Sequence, residues 1–285
     1  MTLIDGKSIS AKVKDEIKSA ASDLAAKGVE PALAVILVGE DAASKTYVAS
    51  KEKACAACGI RSVAHRLSSD VSEAALLELI ENLNEDEGID GILVQLPLPR
   101  HIDTNKILEK ISPQKDVDGF SAINVGKLTS GLADGFVPCT PLGVMRLLEE
   151  YGVQIAGKNA VVLGRSNIVG KPMASLLLNA DATVTIVHSK TKGLKQLCAD
   201  ADILVAAVGK AHFVGADMVK QGAVVIDVGI NRGEDGKLRG DVDFEAVAPK
   251  CSFITPVPGG VGPMTIAMLL SNTIKSAKNR LKQRA

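Results

Sequence analysis

The sequence predicts an α/β fold, with two α/β domains around a cleft, the C-terminal one Rossmann-like. Three observations carry this. Short apolar, β-branched runs alternate with helical patterns in two successive series, which builds parallel sheets through right-handed crossovers. An irregular Gly-, Asp- and Ser-rich stretch, 111–138, lies between the series, long enough to be a functional loop or a domain boundary. Finally, Ala160–Pro172, AVVLGRSNIVGKP, passes from a buried strand through a glycine turn into a helix.

The elements follow in order. Ile9–Ala26 carries apolar residues at helical intervals and stops at Gly28. Ala32–Val38 reads as a buried strand, Ser44–Cys58 as a helix closed by Gly59, and Ser62–Arg66 as a second strand. A helix is expected over Ser72–Leu83, with Asp70 and Glu73 forming a capping box. Gly91–Gln95 is a buried strand halted by Pro97 and Pro99. Beyond the irregular stretch, Thr140-Pro141 reads as a cap followed by a first-turn proline, and Gly152 ends that helix. The second series has strands at 159–163, 183–187, 203–207 and 224–228, with helices at 170–179 and near 193–199. A last helix runs from Pro263, its basic residues gathered in the final turns.

Composition narrows the function. The 285 residues suffice for two cores, and 46% hydrophobic with 23% charged is the profile of a globular chain. Thirty-three basic residues balance thirty-three acidic ones, so no field recommends nucleic acid or an anionic membrane. With no Trp, two Tyr and five Phe, base stacking is also disfavoured. No run is long enough to span a bilayer, and the start is charged from its fifth residue, so a cytoplasmic location is expected. Five cysteines make no disulfide framework. Cys55-x-x-Cys58 has no second pair and no nearby His, so it reads as small buried apolar residues rather than a metal site; no metal is expected.

Several residues stand where chemistry is possible. In a parallel sheet, ligands bind beyond the carboxyl ends of the strands. The GRSNIVGKP turn fits a pyrophosphate held by backbone N–H groups and a helix dipole. It departs from G-x-G-x-x-G, with Ser166 at the second glycine, so a plain strand-to-helix turn fits as well. Tyr47 and Lys51 lie four apart and share a helix face. The same Y-x-x-x-K spacing occurs in short-chain dehydrogenases, but there it follows the nucleotide loop, and here it precedes it. Gln95 ends a strand, where it is a loop cap or a site residue; Asp118 in KDVDGF makes a turn or a contact. Thr255–Thr265, TPVPGGVGPMT, places rigid prolines beside a Gly-Gly pair just before a helix, a second anion-friendly start.

Taken together, IDGKSISAKV, TYVASKEKACAACGI, GILVQLPLPRH, KDVDGF, PCTPLGVMRLLEEYG, GRSNIVGKP and TPVPGGVGPMT resemble the bifunctional methylenetetrahydrofolate dehydrogenase/cyclohydrolase (FolD) family, over essentially the whole chain. The resemblance implies NADP-dependent oxidation of 5,10-methylenetetrahydrofolate to the 5,10-methenyl form, then hydrolysis to 10-formyltetrahydrofolate. It implies a catalytic domain over 1–138, completed by the C-terminal helix 264–285, and an NADP-binding domain over 139–263. Tetrahydrofolate derivatives are the expected partners, in a homodimer. Lys51 is implied as the catalytic lysine, Gln95 as its partner, Asp118 as the pterin anchor and Tyr47 as a positioning residue. Leu96, Pro258, Gly259 and Gly260 are implied to bind substrate with them. Gly164, Arg165, Ser166, Ser189 and Ile230 are implied to bind the cofactor.

The choice of cofactor has a basis in the residues too. An acid about 20 residues past the glycine turn would hold a ribose 2′-hydroxyl and select NAD. Instead TVTIV runs into His188-Ser189-Lys190, with Arg165 and Lys192 adding charge suited to a 2′-phosphate. Two other readings remain at this stage. One is a monofunctional NADP dehydrogenase, the other a non-catalytic dinucleotide-binding regulator, since fold alone proves no activity.

Overall fold

The computed structural model describes residues 1–284. Its strands are β1 (Thr2–Leu3), β2 (Ala32–Val38), β3 (Arg61–Leu67), β4 (Gly91–Val94), β5 (Asn159–Leu163), β6 (Thr183–Val187), β7 (Ile203–Ala206), β8 (Val224–Asp227), β9 (Asn231–Arg232), β10 (Leu238–Arg239) and β11 (Phe253–Ile254). Its helices are α1 (Gly6–Ala25), α2 (Ala42–Ala57), α3 (Glu73–Glu85), α4 (Thr104–Lys110), α5 (Ala122–Thr129), α6 (Cys139–Glu150), α7 (Gly170–Asn179), α8 (Leu194–Ala199), α9 (Phe244–Val247) and α10 (Val261–Arg284). The chain divides into two units: Met1–Ala11 with Thr140–Thr265, and Lys12–Cys139 with the residues from Ile266 onward.

The Lys12–Cys139 unit is built on a three-stranded parallel sheet, ordered β3-β2-β4. Every residue of β2 is buried, as an apolar run without alternation requires when both sheet faces are covered. Leu76, Ile80 and Leu83 of α3 and Ile107 of α4 pack with Ala34, Ile36, Ile92 and Val94 of the sheet. Each such side chain contributes about 1.5–3 kcal/mol by leaving water. Asp90, just before β4, accepts the Ala32 amide and two bonds from Arg280, which ties α10 to the amino end of the sheet.

The other unit carries six parallel strands in the order β1-β11-β8-β7-β5-β6. Val161, Leu163, Leu204, Ala206 and Val225 pack with Met218, Val219, Val242 and Val247. The register pairs Leu163 with Val187 and Ala206, and Ala206 with Asp227, so β5 to β8 end level. Their following loops therefore share one edge.

Several details differ from a purely local reading of the sequence. The first eleven residues group with the six-stranded unit, because Thr2 and Leu3 extend its sheet beside β11. Two-residue strands carry no readable periodicity. The stretch 111–138 contains α5, capped by the Ser121 hydroxyl and centred on the buried Asn124. Tertiary hydrogen bonds hold that helix against its unhelpful Gly126. The start of α3 is capped by Ser72, whose hydroxyl accepts the Ala75 amide, and not by Asp70. Glu73 turns instead to the Asp103 amide and Lys106. Thr140 lies inside α6 and shares a hydrogen bond with the Thr265 hydroxyl, so it is no cap.

Candidate active site

In the three-stranded unit, α2 sets Lys51 one turn after Tyr47, and Tyr47 is 46% exposed. The Lys51 Nζ donates to Gln95 Oε1 at 2.9 Å. Gln95 follows β4, its own amide bonded to Ile36 O, so the sheet ladder fixes where its side chain starts. Its Nε2 donates to Leu96 O at 2.7 Å, which leaves Oε1 turned to the lysine. The amide thus has one orientation, and Lys51 keeps further N–H donors for a ligand.

Asp118 owes its place to a neighbour the sequence did not single out. Asp116 is buried, and its carboxylate accepts the amides of Gly119, Phe120 and Ser121 and the Asn124 side chain. That charge-assisted set folds KDVDGF into a fixed loop. Gly119 sits at φ +72°, and a Cβ there would lie 2.8 Å from Pro138 N, so only glycine fits. Cys139 and Asn272 were also missed. The Cys139 thiol lies 3.6 Å from Asp118 Oδ1 and 3.4 Å from Val117 O, while Asn272 Nδ2 donates to Val117 O and Val137 O. Burial pushes the Cys139 thiol well above its ordinary range, so it serves as a neutral donor. Burial likewise pushes the Asp118 carboxyl up to about 6, against the opposing pull of Lys51. Lys51, Gln95 and Asp118 therefore form one electrostatic group.

The nucleotide-type residues lie in the other unit. Gly164 at φ +125° donates its amide to Val187 O, and a Cβ there would meet Ala207 O at 2.2 Å. Gly170 packs on the Gly164 carbonyl as closely. This is the close strand-to-helix approach that a dinucleotide turn needs. The amide cradle expected at the start of α7 is closed, however. Ser166 Oγ accepts the Val169 and Gly170 amides, Ser166 O accepts that of Lys171, and residue 172 is proline. An anion would instead meet the Ser166 hydroxyl proton and side-chain cations. Arg165, Lys171, Lys190 and Lys192 are all exposed, and none forms an ion pair among the described residues. Ser189 is exposed in the turn after β6, where His188 N donates to Thr191 Oγ1. Ile230, after β8, is 45% exposed. These residues fit a phosphorylated dinucleotide.

Pro258, Gly259 and Gly260 belong to this unit as well. Gly259 O accepts the Lys7 amide, and a Cβ on Gly6 would sit 1.7 Å from Gly260 O. Among the described residues no cluster of His, Cys, Asp and Glu is arranged to hold a metal ion, and no helix is long and apolar enough to cross a membrane.

A Rossmann-like unit with a cation-rich loop edge, on one chain with a lysine–glutamine–aspartate group, defines a dinucleotide-dependent enzyme. The catalytic-domain model of tetrahydrofolate dehydrogenase/cyclohydrolase matches residues 4–118, and the NAD(P)-binding-domain model of the same enzymes matches 138–281. The chain is 72% identical over 283 residues to the bifunctional protein FolD of Campylobacter hominis, covering 99% of both. The crystal structure of the bifunctional FolD of Campylobacter jejuni aligns at 58% identity and TM-score 0.97, covering 98% of this chain and 99% of that one. A Trypanosoma brucei FolD, solved with NADP and an inhibitor, aligns at 42% identity and TM-score 0.94, covering 100% and 99%. The chain belongs to the tetrahydrofolate dehydrogenase/cyclohydrolase family.

The raised Asp118 carboxyl has a consequence for stability. Its folded pKa of about 6 lies above the ordinary 3.8, so the native state holds that proton more tightly than the unfolded chain. The resulting stabilisation is full below about pH 4 and is lost as pH rises through 6. Unfolding free energies from urea titrations at pH 4 to 7 should show wild type losing ground steadily against Asp118→Asn; a constant difference would refute the shift.

Proposed function

We propose that this protein oxidises 5,10-methylenetetrahydrofolate with NADP and hydrolyses the resulting methenyl cation to 10-formyltetrahydrofolate. The observation that carries this is the Lys51–Gln95–Asp118 group on a chain that also bears an NAD(P)-binding domain. NADP would lie against Gly164, Arg165, Ser166, Ser189 and Ile230, and when bound it supplies the hydride acceptor. The protein's own residues do the rest. Asp118, largely ionised at neutral pH, can accept two N–H bonds from the amino-pyrimidinone edge of a folate, a bidentate match. Lys51 Nζ, oriented by Gln95, moves protons as water adds to the electrophilic methenyl carbon and the C–N bond opens. A positioned proton transfer of this kind contributes about 10²–10⁴-fold. Tyr47 and Leu96 border this group, and we assign Pro258–Gly260 to substrate binding on the family motif.

A dehydrogenase without the hydrolase step is the competing reading. A two-wavelength assay with methylenetetrahydrofolate and NADP, following NADPH and methenyl absorbance together, separates the two. Lys51→Met should abolish methenyl hydrolysis in a folded protein, and Asp118→Ala should impair both activities with NADP affinity nearly unchanged. Retained hydrolysis in the first, or one activity spared in the second, would contradict the shared site.

Preference for NADP rests on the exposed Arg165, Lys190 and Lys192 and on the lack of a carboxylate after β6. Arg165→Gln should weaken NADP at least about tenfold more than NAD, as loss of a charged phosphate contact implies. Equal losses would overturn the assignment.

We also propose a homodimer. β3 is an edge strand of the three-stranded sheet, and a second copy laid along it would pair its open backbone edge. Light scattering should give twice the chain mass, and a monomer at micromolar concentration would exclude it. A cytoplasmic location accords with five unpaired, buried cysteines; cell fractionation with the protein in the membrane or secreted fraction would exclude it.

A further inference from the structure

The six-stranded unit buries two carboxylates that the chemistry above does not use. Asp227 ends β8 and Asp241 follows β10; they are 4% and 0% exposed. Neither has a cationic partner among the described residues. Burying a charge is costly unless hydrogen bonds replace its water, so what replaces it here is informative.

For Asp241 the replacement comes from two loops at the cofactor edge. Its Oδ2 accepts the amides of Val208 and Gly209 at 2.6 and 2.9 Å, and its Oδ1 accepts that of Lys210 at 2.8 Å. These three consecutive N–H groups form the turn after β7. The Oδ1 also accepts Asn231 Nδ2 at 2.9 Å, from the segment after β8. Asp227 holds the other side, accepting the amides of Gly229, Asp241 and Val242 at 2.9 Å each. The Asp241 backbone is pinned as well, since its carbonyl accepts the Val214 amide. The packing leaves no slack. A Cβ on Gly229 would lie 2.3 Å from Asp241 Oδ1, and one on Gly240 would lie 1.8 Å from Asp227 Oδ2.

What this clamp presents is apolar. Val208 is 37% exposed and Ile230 is 45% exposed, each beside residues that Asp241 holds by hydrogen bonds or close packing. They follow adjacent strands of one parallel sheet, at the edge where such sheets bind nucleotides. A carboxylate suits this task because it only accepts hydrogen bonds. An asparagine of the same shape would turn an NH₂ toward some of four converging donors.

We infer that Asp241 is a positioning residue for dinucleotide binding, gathering the 208–210 and 229–231 loops so that Val208 and Ile230 flank the bound nucleotide. The inference rests on the nucleotide-binding reading of this unit and adds a residue that touches no ligand.

The test uses the full-length protein, with NADP as the probe in isothermal titration calorimetry. Asp241→Asn should raise the Kd for NADP at least about tenfold, the effect of a lost charge-assisted hydrogen bond. Amide exchange at Val208–Lys210 should speed up in parallel. Cyclohydrolase kcat, assigned above to the Lys51–Gln95–Asp118 group of the other unit, should stay within about twofold of wild type. An unchanged Kd would overturn the inference. So would loss of NADP binding and hydrolysis in step with a lowered Tm, since that is what a purely structural role predicts. If Asp241→Asn does not fold, Asn231→Ala removes one donor to the clamp; a Kd raised about threefold supports the inference and an unchanged one overturns it. Wild-type protein that failed to bind NADP would defeat the nucleotide reading itself, a result distinct from equal binding by wild type and variant.

Discussion

Buried aspartates that accept consecutive backbone amides are the interaction on which the functional parts of this chain depend. A parallel sheet satisfies its own backbone, but the loops leaving its carboxyl edge lose their ladder partners. Asp116 takes up three such amides in one unit, and Asp227 and Asp241 take up six in the other. Each carboxylate is worth burying because several charge-assisted bonds converge on it. Removing one would leave a bundle of donors pointing into a dry interior, so these loops hold one conformation.

That rigidity matters in a family of bifunctional enzymes. The Asp118 carboxyl is displayed at a set place by the Asp116 loop. Gln95 is held at both ends, by the sheet ladder through its amide and by Leu96 O through its Nε2. Lys51 is consequently met by an acceptor with a single orientation. The group holds placed donors and acceptors in a partly desolvated setting, where they act more strongly than in water.

The turn after β5 shows how a motif's meaning depends on detail. In a glycine-rich dinucleotide turn, the open amides of the helix start meet the pyrophosphate. Here Ser166 takes the Val169 and Gly170 amides on its own hydroxyl, and its chain neighbour Arg165 is exposed. The departure from G-x-G-x-x-G therefore leaves a helix start whose first amides are already used.

The sequence by itself determined the fold class and the long elements, because hydrophobic period is a local property. The all-apolar β2 had to be buried on both faces, and Gly164 had to mark a close approach. Lys51, Gln95 and Asp118 were legible through motifs and through their places on a helix face, a strand end and a loop. The short elements were not legible. Two-residue strands such as β1 and the Gly-containing α5 exist because distant segments complete them. The aspartates divide the same way. Nothing local distinguishes Asp116 from Asp118, two residues apart, or marks Asp241 at all. Only the tertiary structure decided which carboxyl stands with Lys51 and which is consumed by backbone amides, because burial and donor geometry arise when segments far apart in the chain converge.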